Sequence, residues 1–209
     1  MKILAVTDQV VERLYTLAAG EHFREVRLIL GCGDLPSAYL EYLLTMLNVP
    51  LGYVPGNHDI VCTGPSAVNY VGGGINLDGR VVRVKGLLLA GLGGSIRYRP
   101  DGINQYTQME MYLRVLGLFP GLLWNRLRYG RALDILISHS PPFGINDDDS
   151  SAHRGLLALN LLIRWAKPRY HLHGHMHVYN RNLEVSTTTV GSTQVVNVFP
   201  YQVIEVPDE

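Results

Sequence analysis

The sequence is short of charge, of cysteine and of long apolar runs, and each shortage removes a class of protein. Asp, Glu, Lys and Arg make up only 17% of the residues, and 18 basic side chains balance 18 acidic ones. Without a basic excess the chain carries no strong nucleic-acid signal, because a general binder must neutralise many phosphates. The two cysteines, Cys32 and Cys62, lie far apart with no second pair, so buried free thiols are expected rather than a disulfide framework or a zinc ribbon. The opening MKILAVTDQV holds one lysine and a five-residue apolar run. That run is too short for a signal-peptide core or a bilayer span, which makes a cytoplasmic protein without a membrane span the expectation. No Pro-, Ser- or charge-rich linker interrupts the chain, so residues 1–209 are read as a single domain.

Apolar residues are plentiful, at 47%, and their spacing organises the chain. Ile3–Thr7, Val26–Leu30 and Leu51–Val54 are short aliphatic runs ending at polar or turn residues, the pattern of buried strands. Val11–Ala19 and Ser37–Leu47 have helical spacing between them, and Pro36-Ser37 marks a helix start. The result is β-α-β-α-β, which predicts a parallel sheet with crossover helices. Further strands are expected at Arg80–Val84, Leu87–Leu92, Leu133–Ser138, Arg169–His173, Leu183–Ser186, Gln194–Phe199 and Gln202–Val206. Helices are expected at Gln108–Leu116, in part of Leu122–Tyr129 and at Gly155–Ala166. The Leu, Phe and Trp124 of Leu116–Tyr129 are read as a face packed on the sheet rather than a partner or membrane surface.

Polar residues at strand ends carry the chemistry. Asp8 follows the first strand, Asp34 the second and Asn57-His58-Asp59 the third, so one sheet edge receives all of them. Two later strands deliver His139 and the run Gly174-His175-Met176-His177. Carboxylates, an amide oxygen and three imidazoles form a mixed oxygen and nitrogen set suited to Mn, Fe or Zn, with room for two metals. Taken singly each has a plainer reading: an Asp at a strand end is commonly a cap or turn residue, and Asn-His after Pro-Gly a turn. The ordered combination points to a metal site. His171 and His173 alternate with Tyr170 and Leu172 on a buried strand and are read as core histidines, not ligands.

The order Asp8, Gly33-Asp34, Gly56-Asn57-His58-Asp59, His139, Gly174-His175-Met176-His177 resembles the five-block signature of calcineurin-like metallophosphoesterases, over residues 3 to about 180. Ser138-His139-Ser140-Pro141-Pro142-Phe143-Gly144 with His153-Arg154-Gly155 further resembles a small phosphodiesterase branch. The resemblance implies an α/β fold of two packed mixed β-sheets flanked by helices, a four-layer α-β-β-α sandwich. It also implies two divalent metal ions, one on Asp8, Asp34 and His177 and the other on Asp34, Asn57, His139 and His175. These would generate hydroxide from a bound water near neutral pH and clamp the phosphoryl oxygens of a small phosphoester, more expectedly a diester, during in-line attack. In the family's terms His58 stabilises the transition state or protonates the leaving oxygen, and Asp59 orients it.

His153, by the same resemblance, is a candidate contact for substrate, as is Arg97 in the lip Leu92–Arg99, whose plainer reading is a solvated loop. The pattern departs from the family at one place. The first block is Asp, any residue, His, and here it is Asp8-Gln9-Val10, so the first metal lacks a protein ligand. Gln9 is not expected to substitute, because neighbouring side chains of extended backbone point oppositely. An inactive scaffold of the same fold is the competing reading, and a polymer nuclease is disfavoured by the zero net charge.

Overall fold

The expected opening strands form, and they pair in parallel because helical crossovers return the chain to the same sheet edge each time. The computed structural model describes residues 1–59, 71–179 and 186–207. In chain order the first half holds β1 (Lys2–Val6), α1 (Glu12–Ala19), β2 (Val26–Gly31), α2 (Ser37–Leu47), β3 (Leu51–Tyr53) and β4 (Ile75–Asn76). Then come β5 (Arg80–Val84), β6 (Leu87–Leu92), the two-residue strands β7 (Ser95–Ile96) and β8 (Gln105–Tyr106), and α3 (Gln108–Tyr129). The chain continues with β9 (Ile135–Ser138), α4 (Leu157–Ala166), β10 (Tyr170–His173), β11 (Thr187–Val190), β12 (Thr193–Asn197) and β13 (Tyr201–Glu205).

One sheet runs β13-β1-β2-β3-β4 and the other β11-β12-β10-β9-β6-β5. Within them β1, β2 and β3 are mutually parallel, as are β6, β9, β10 and β12. Strand residues alternate between two buried faces, which is why these strands read as continuous apolar runs. Ile3, Ala5, Leu28 and Leu30 meet Leu89, Ile135, Ile137 and Leu172 between the sheets. Leu4, Val6 and Ile29 face the other way, onto Leu14 of α1 and Leu40 and Leu43 of α2. Ala90, Leu92 and Leu136 pack on Met111, Val115, Leu118 and Leu122 of α3 and on Leu159 and Leu162 of α4. Three apolar layers between four structural ones make the α-β-β-α sandwich. Each fully buried aliphatic side chain contributes roughly 1.5–3 kcal/mol, so Ile3, Leu4 and Val6 alone hold β1 strongly.

Four expectations need correction. The two helical segments expected around Leu116–Leu122 are one helix: α3 passes through Pro120, whose missing N–H falls on the exposed side, while Leu118 and Leu122 on either side are anchored in the core. A capping box, in which the Glu110 N–H donates to Thr107 Oγ1 and the Thr107 N–H donates back to Glu110 Oε2, starts this helix, and Gly130 at φ 74° ends it. The core reading of Leu116–Tyr129 holds for Leu118 and Leu122 only, because Leu116, Leu123, Trp124 and Leu127 are exposed. Residues 183–185 of the strand expected at Leu183–Ser186 lie outside the described residues, and the strand there is β11, three threonines and a valine that alternate in burial. The pairs β4, β7 and β8 are too short to leave a pattern in sequence. Cys32 is a buried free thiol, as expected, whose burial pushes its pKa up; Cys62 lies outside the described residues.

Candidate metal centre

Parallel strands end together, so the residues just beyond β1, β2, β3, β9 and β10 share one edge. Two of these residues and one from the later loop leave their strands in the left-handed region without being glycine: Asp8 at φ 58°, Asp34 at 55° and His175 at 68°. Such strain in non-glycine residues clusters where the fold over-determines a functional geometry. The loops interlock through main-chain bonds, Asp8 N–H to Gly33 O at 3.1 Å and Gly174 N–H to His139 O at 3.0 Å. Glycine is required for closeness: a Cβ on Gly174 would overlap Thr7 Oγ1 and Asp8 Oδ2, and one on Gly56 would overlap the Asp34 carboxylate.

The six expected ligands converge. Asp8, Asp34 and His139 offer ligand atoms all within 4.8 Å of one another. His139 Nε2 lies 3.3 Å from Asp34 Oδ2, 3.0 Å from Asn57 Oδ1 and 3.1 Å from His175 Nδ1. His177 Nε2 lies 3.6 Å from Asp8 Oδ1, and the His177 ring stacks on Phe199 with centroids 4.7 Å apart. Each of the buried rings is oriented by its other nitrogen: His139 Nδ1 faces Cys32 O at 2.9 Å and His175 Nε2 faces Ala152 O at 2.8 Å. A carbonyl only accepts, so those nitrogens carry the protons and the inner nitrogens carry lone pairs.

That assignment tests the donor set. Two imidazole lone pairs, an amide oxygen and a carboxylate oxygen face one point with no hydrogen among them, an arrangement that repels itself unless a cation sits between them. A divalent metal fits it, and orienting a ligand histidine through a backbone carbonyl is how protein metal sites are commonly built. In the metal-free chain a proton takes that place. Burial opposes charge on His139, but the Asp34 and Asp8 carboxylates outweigh burial and hold its pKa up at about 9. His175 falls to about 3, through its own burial and then the charge on His139. Burial also opposes charge on Asp34, yet the His139 cation leads in pulling it down to about 2. Asp8 is likewise lowered against burial, by His177 first, and His177 is raised by Asp8.

The surrounding residues separate into those that meet this point and those that do not. His58 is exposed, and its main-chain N–H donates to Asp34 Oδ1 at 2.8 Å. Asp59 does other work than orienting His58: one oxygen, Oδ2, accepts from the Gly56 N–H at 2.7 Å and the Asp34 N–H at 3.1 Å, tying the second and third loops together. Burial, and then the Asp34 charge, raise its pKa. The His153 ring stands at the rim, 5.1 Å from His175, with Nδ1 on Ser150 Oγ. Arg97 is turned away from the site, held by the Gln105 carbonyl and by Glu110 at 3.0 Å. Its neighbour Tyr98 is the residue that sequence reasoning passed over. The Asn57 amide donates to its hydroxyl at 3.3 Å, which aims Oδ1 at His139. The only signal for it was its place in the lip Leu92–Arg99.

Val10 packs against the apolar cluster beneath α1 and α2, and Gln9 is exposed. His171 and His173 are buried, with Nε2 of one on Ser138 Oγ at 2.7 Å and of the other on the Asn146 amide at 3.3 Å.

The profile of the family described as calcineurin-like phosphoesterases matches residues 1–179. The chain is 24% identical over 213 residues to an uncharacterized protein of Methanocaldococcus jannaschii, covering 96% of this chain and 88% of that one. It is 26% identical over 136 residues to a Caenorhabditis elegans protein of the UPF0046 group, covering 64% of this chain and 30% of the relative. A Thermus thermophilus protein of known crystal structure superposes with a TM-score of 0.60 at 18% identity, over 94% of this chain and 88% of that one, a likeness of fold.

Proposed function

The chain belongs to the calcineurin-like phosphoesterase family, and on that premise we propose that it hydrolyses a phosphodiester at a dinuclear metal centre whose first site is incomplete. Family membership supports metal-dependent phosphoester hydrolysis in general, with divalent metals as the cofactor. The observation that carries the rest is the facing pair of bare imidazole nitrogens, His139 Nε2 and His175 Nδ1, 3.1 Å apart beside Asn57 and Asp34. In this reading Asp34, Asn57, His139 and His175 hold one metal, and Asp8, Asp34 and His177 the other. Val10 leaves the latter one imidazole short, and Mn, Fe or Zn suits such a set. When bound, such ions supply Lewis acidity, lowering the pKa of water and neutralising phosphoryl oxygens.

The chain's own residues do the remaining work. His58, exposed next to Asp34, presents its imidazole to the phosphoryl group or the leaving oxygen. His153, at the rim, is placed to meet the leaving group of a diester. Asp59 and Tyr98 hold Asp34 and Asn57 in register. Among the described residues no helix is long and apolar enough to cross a membrane, which is compatible with a small soluble phosphoester as substrate.

The test uses metal-stripped protein with bis-p-nitrophenyl phosphate and p-nitrophenyl phosphate, restoring Mn, Zn, Fe, Ni or Mg singly. Metal-restored turnover that prefers the diester and is abolished by Asn57→Ala supports the proposal. Preference for the monoester overturns the diester assignment. Val10 supports a second reading, a scaffold that has lost activity: inactive wild type with every metal, together with activity gained by Val10→His, would establish it.

A further inference from the structure

Helix α3 is apolar on both sides. Its inner face, Met111, Val115, Leu118 and Leu122, is core, and the opposite face carries Met109, Leu113, Leu116, Leu123, Trp124 and Leu127, which are between 48% and 84% exposed. A helix apolar all round is normally covered all round. We propose that this outer stripe is an interface between two copies of the chain, paired through antiparallel α3 helices about a twofold axis near Leu116 and Pro120.

The stripe is self-complementary, as an interface between identical surfaces requires. Reversing the helix about its midpoint places Met109 against the partner's Leu127, Leu113 against the partner's Leu123, and Leu116 against the partner's Pro120, apolar on apolar in every case. The charges on its flank reverse equally well. Glu110 and Arg128 are about five full turns apart, so they lie on the same side at opposite ends. Antiparallel pairing therefore brings Glu110 beside the partner's Arg128, twice, whereas a parallel pair would set like charges together. Gly117, where a Cβ would meet nothing within 4 Å, leaves the middle of the stripe open for close approach. Six large side chains exposed to this degree present roughly 700 Å² per copy, against about 800 Å² per partner in a stable interface and 300–600 Å² for the largest patch of an ordinary monomer.

Sedimentation velocity of the intact chain over a wide concentration range tests this. Wild type is expected at twice 23.3 kDa, and both Leu116→Glu, beside the axis, and Leu127→Glu, at the end of the stripe, at 23.3 kDa. Far-UV circular dichroism and thermal unfolding check that each variant remains folded, which the exposure of both side chains predicts. Wild type that stays at 23.3 kDa throughout overturns the proposal, as does a dimer that survives both substitutions. So does a monomer that co-sediments with phosphatidylcholine–phosphatidylserine vesicles and loses that binding in Leu127→Glu, since Trp124 between Arg126 and apolar neighbours would then serve a lipid surface.

Discussion

Replacing Asp59 separates a loop brace from a group that tunes His58. A single oxygen of Asp59 accepts two main-chain N–H groups, from Gly56 and Asp34, at 2.7 and 3.1 Å. Asp59→Ala leaves both donors without their acceptor in a largely buried setting, at about 1–3 kcal/mol each, or roughly 4 kcal/mol together. For a chain of this size that lowers the midpoint of thermal unfolding by roughly 10 °C. Asp59→Asn keeps an oxygen in the same place. It also removes a carboxylate whose ionised form burial and Asp34 already disfavour, so its stability should stay within about 1 kcal/mol of wild type. Metal affinity should follow the same order, because the brace holds Asp34 and the turn before Asn57 in place. The assay is thermal unfolding of metal-free protein by circular dichroism, with metal affinity measured by competition against a chelator. An Asp59→Ala protein that melts with wild type yet loses turnover would refute the brace and return Asp59 to His58.

Tyr98→Phe removes the hydroxyl that holds the Asn57 amide; metal affinity should fall roughly tenfold with an unchanged unfolding midpoint, by the same chelator competition. The proton on His139 competes with metal, so affinity should drop by up to about tenfold per pH unit as pH falls below about 9, with proton release measurable by calorimetry in buffers of different ionisation heat. Burial lowers the pKa of His171, and that of His173 to about 4, so both are neutral in the folded chain. Between the unfolded value near 6.5 and about 4 the unfolded chain binds more protons, so the stability these rings allow at neutral pH is lost as pH falls through that window. For His173 this is up to roughly 3 kcal/mol, and a urea midpoint that stays flat there would contradict it.

How much was legible in the sequence follows from which forces are local. The strands β1, β2, β6 and β9 are buried on both faces, so their apolar runs mark them, and the polar residue that ends each run marks the sheet edge. Ser37–Leu47 was readable to the residue because Pro36 bars continuation backwards. The unity of α3 was not legible, since Pro120 breaks helices locally and only packing at Leu118 and Leu122 overrides it. Nor was the exposure of its outer stripe, because spacing alone does not say whether a second layer covers a face.

The six candidate ligands were visible as an ordered set of residue types, since metal chemistry demands those types wherever the chain places them. Their protonation was not: which nitrogen of His139 and His175 carries hydrogen depends on Cys32 O and Ala152 O, carbonyls contributed from elsewhere in the chain. The same holds for Arg97 and Tyr98, neighbours whose side chains diverge so that Glu110 takes one and Asn57 the other. The sequence by itself determined which atoms are available to bind a metal, because composition and order decide that. Only the tertiary structure decided how they face one another, because contacts between residues distant in the chain set the ring orientations, the shared proton and the braces.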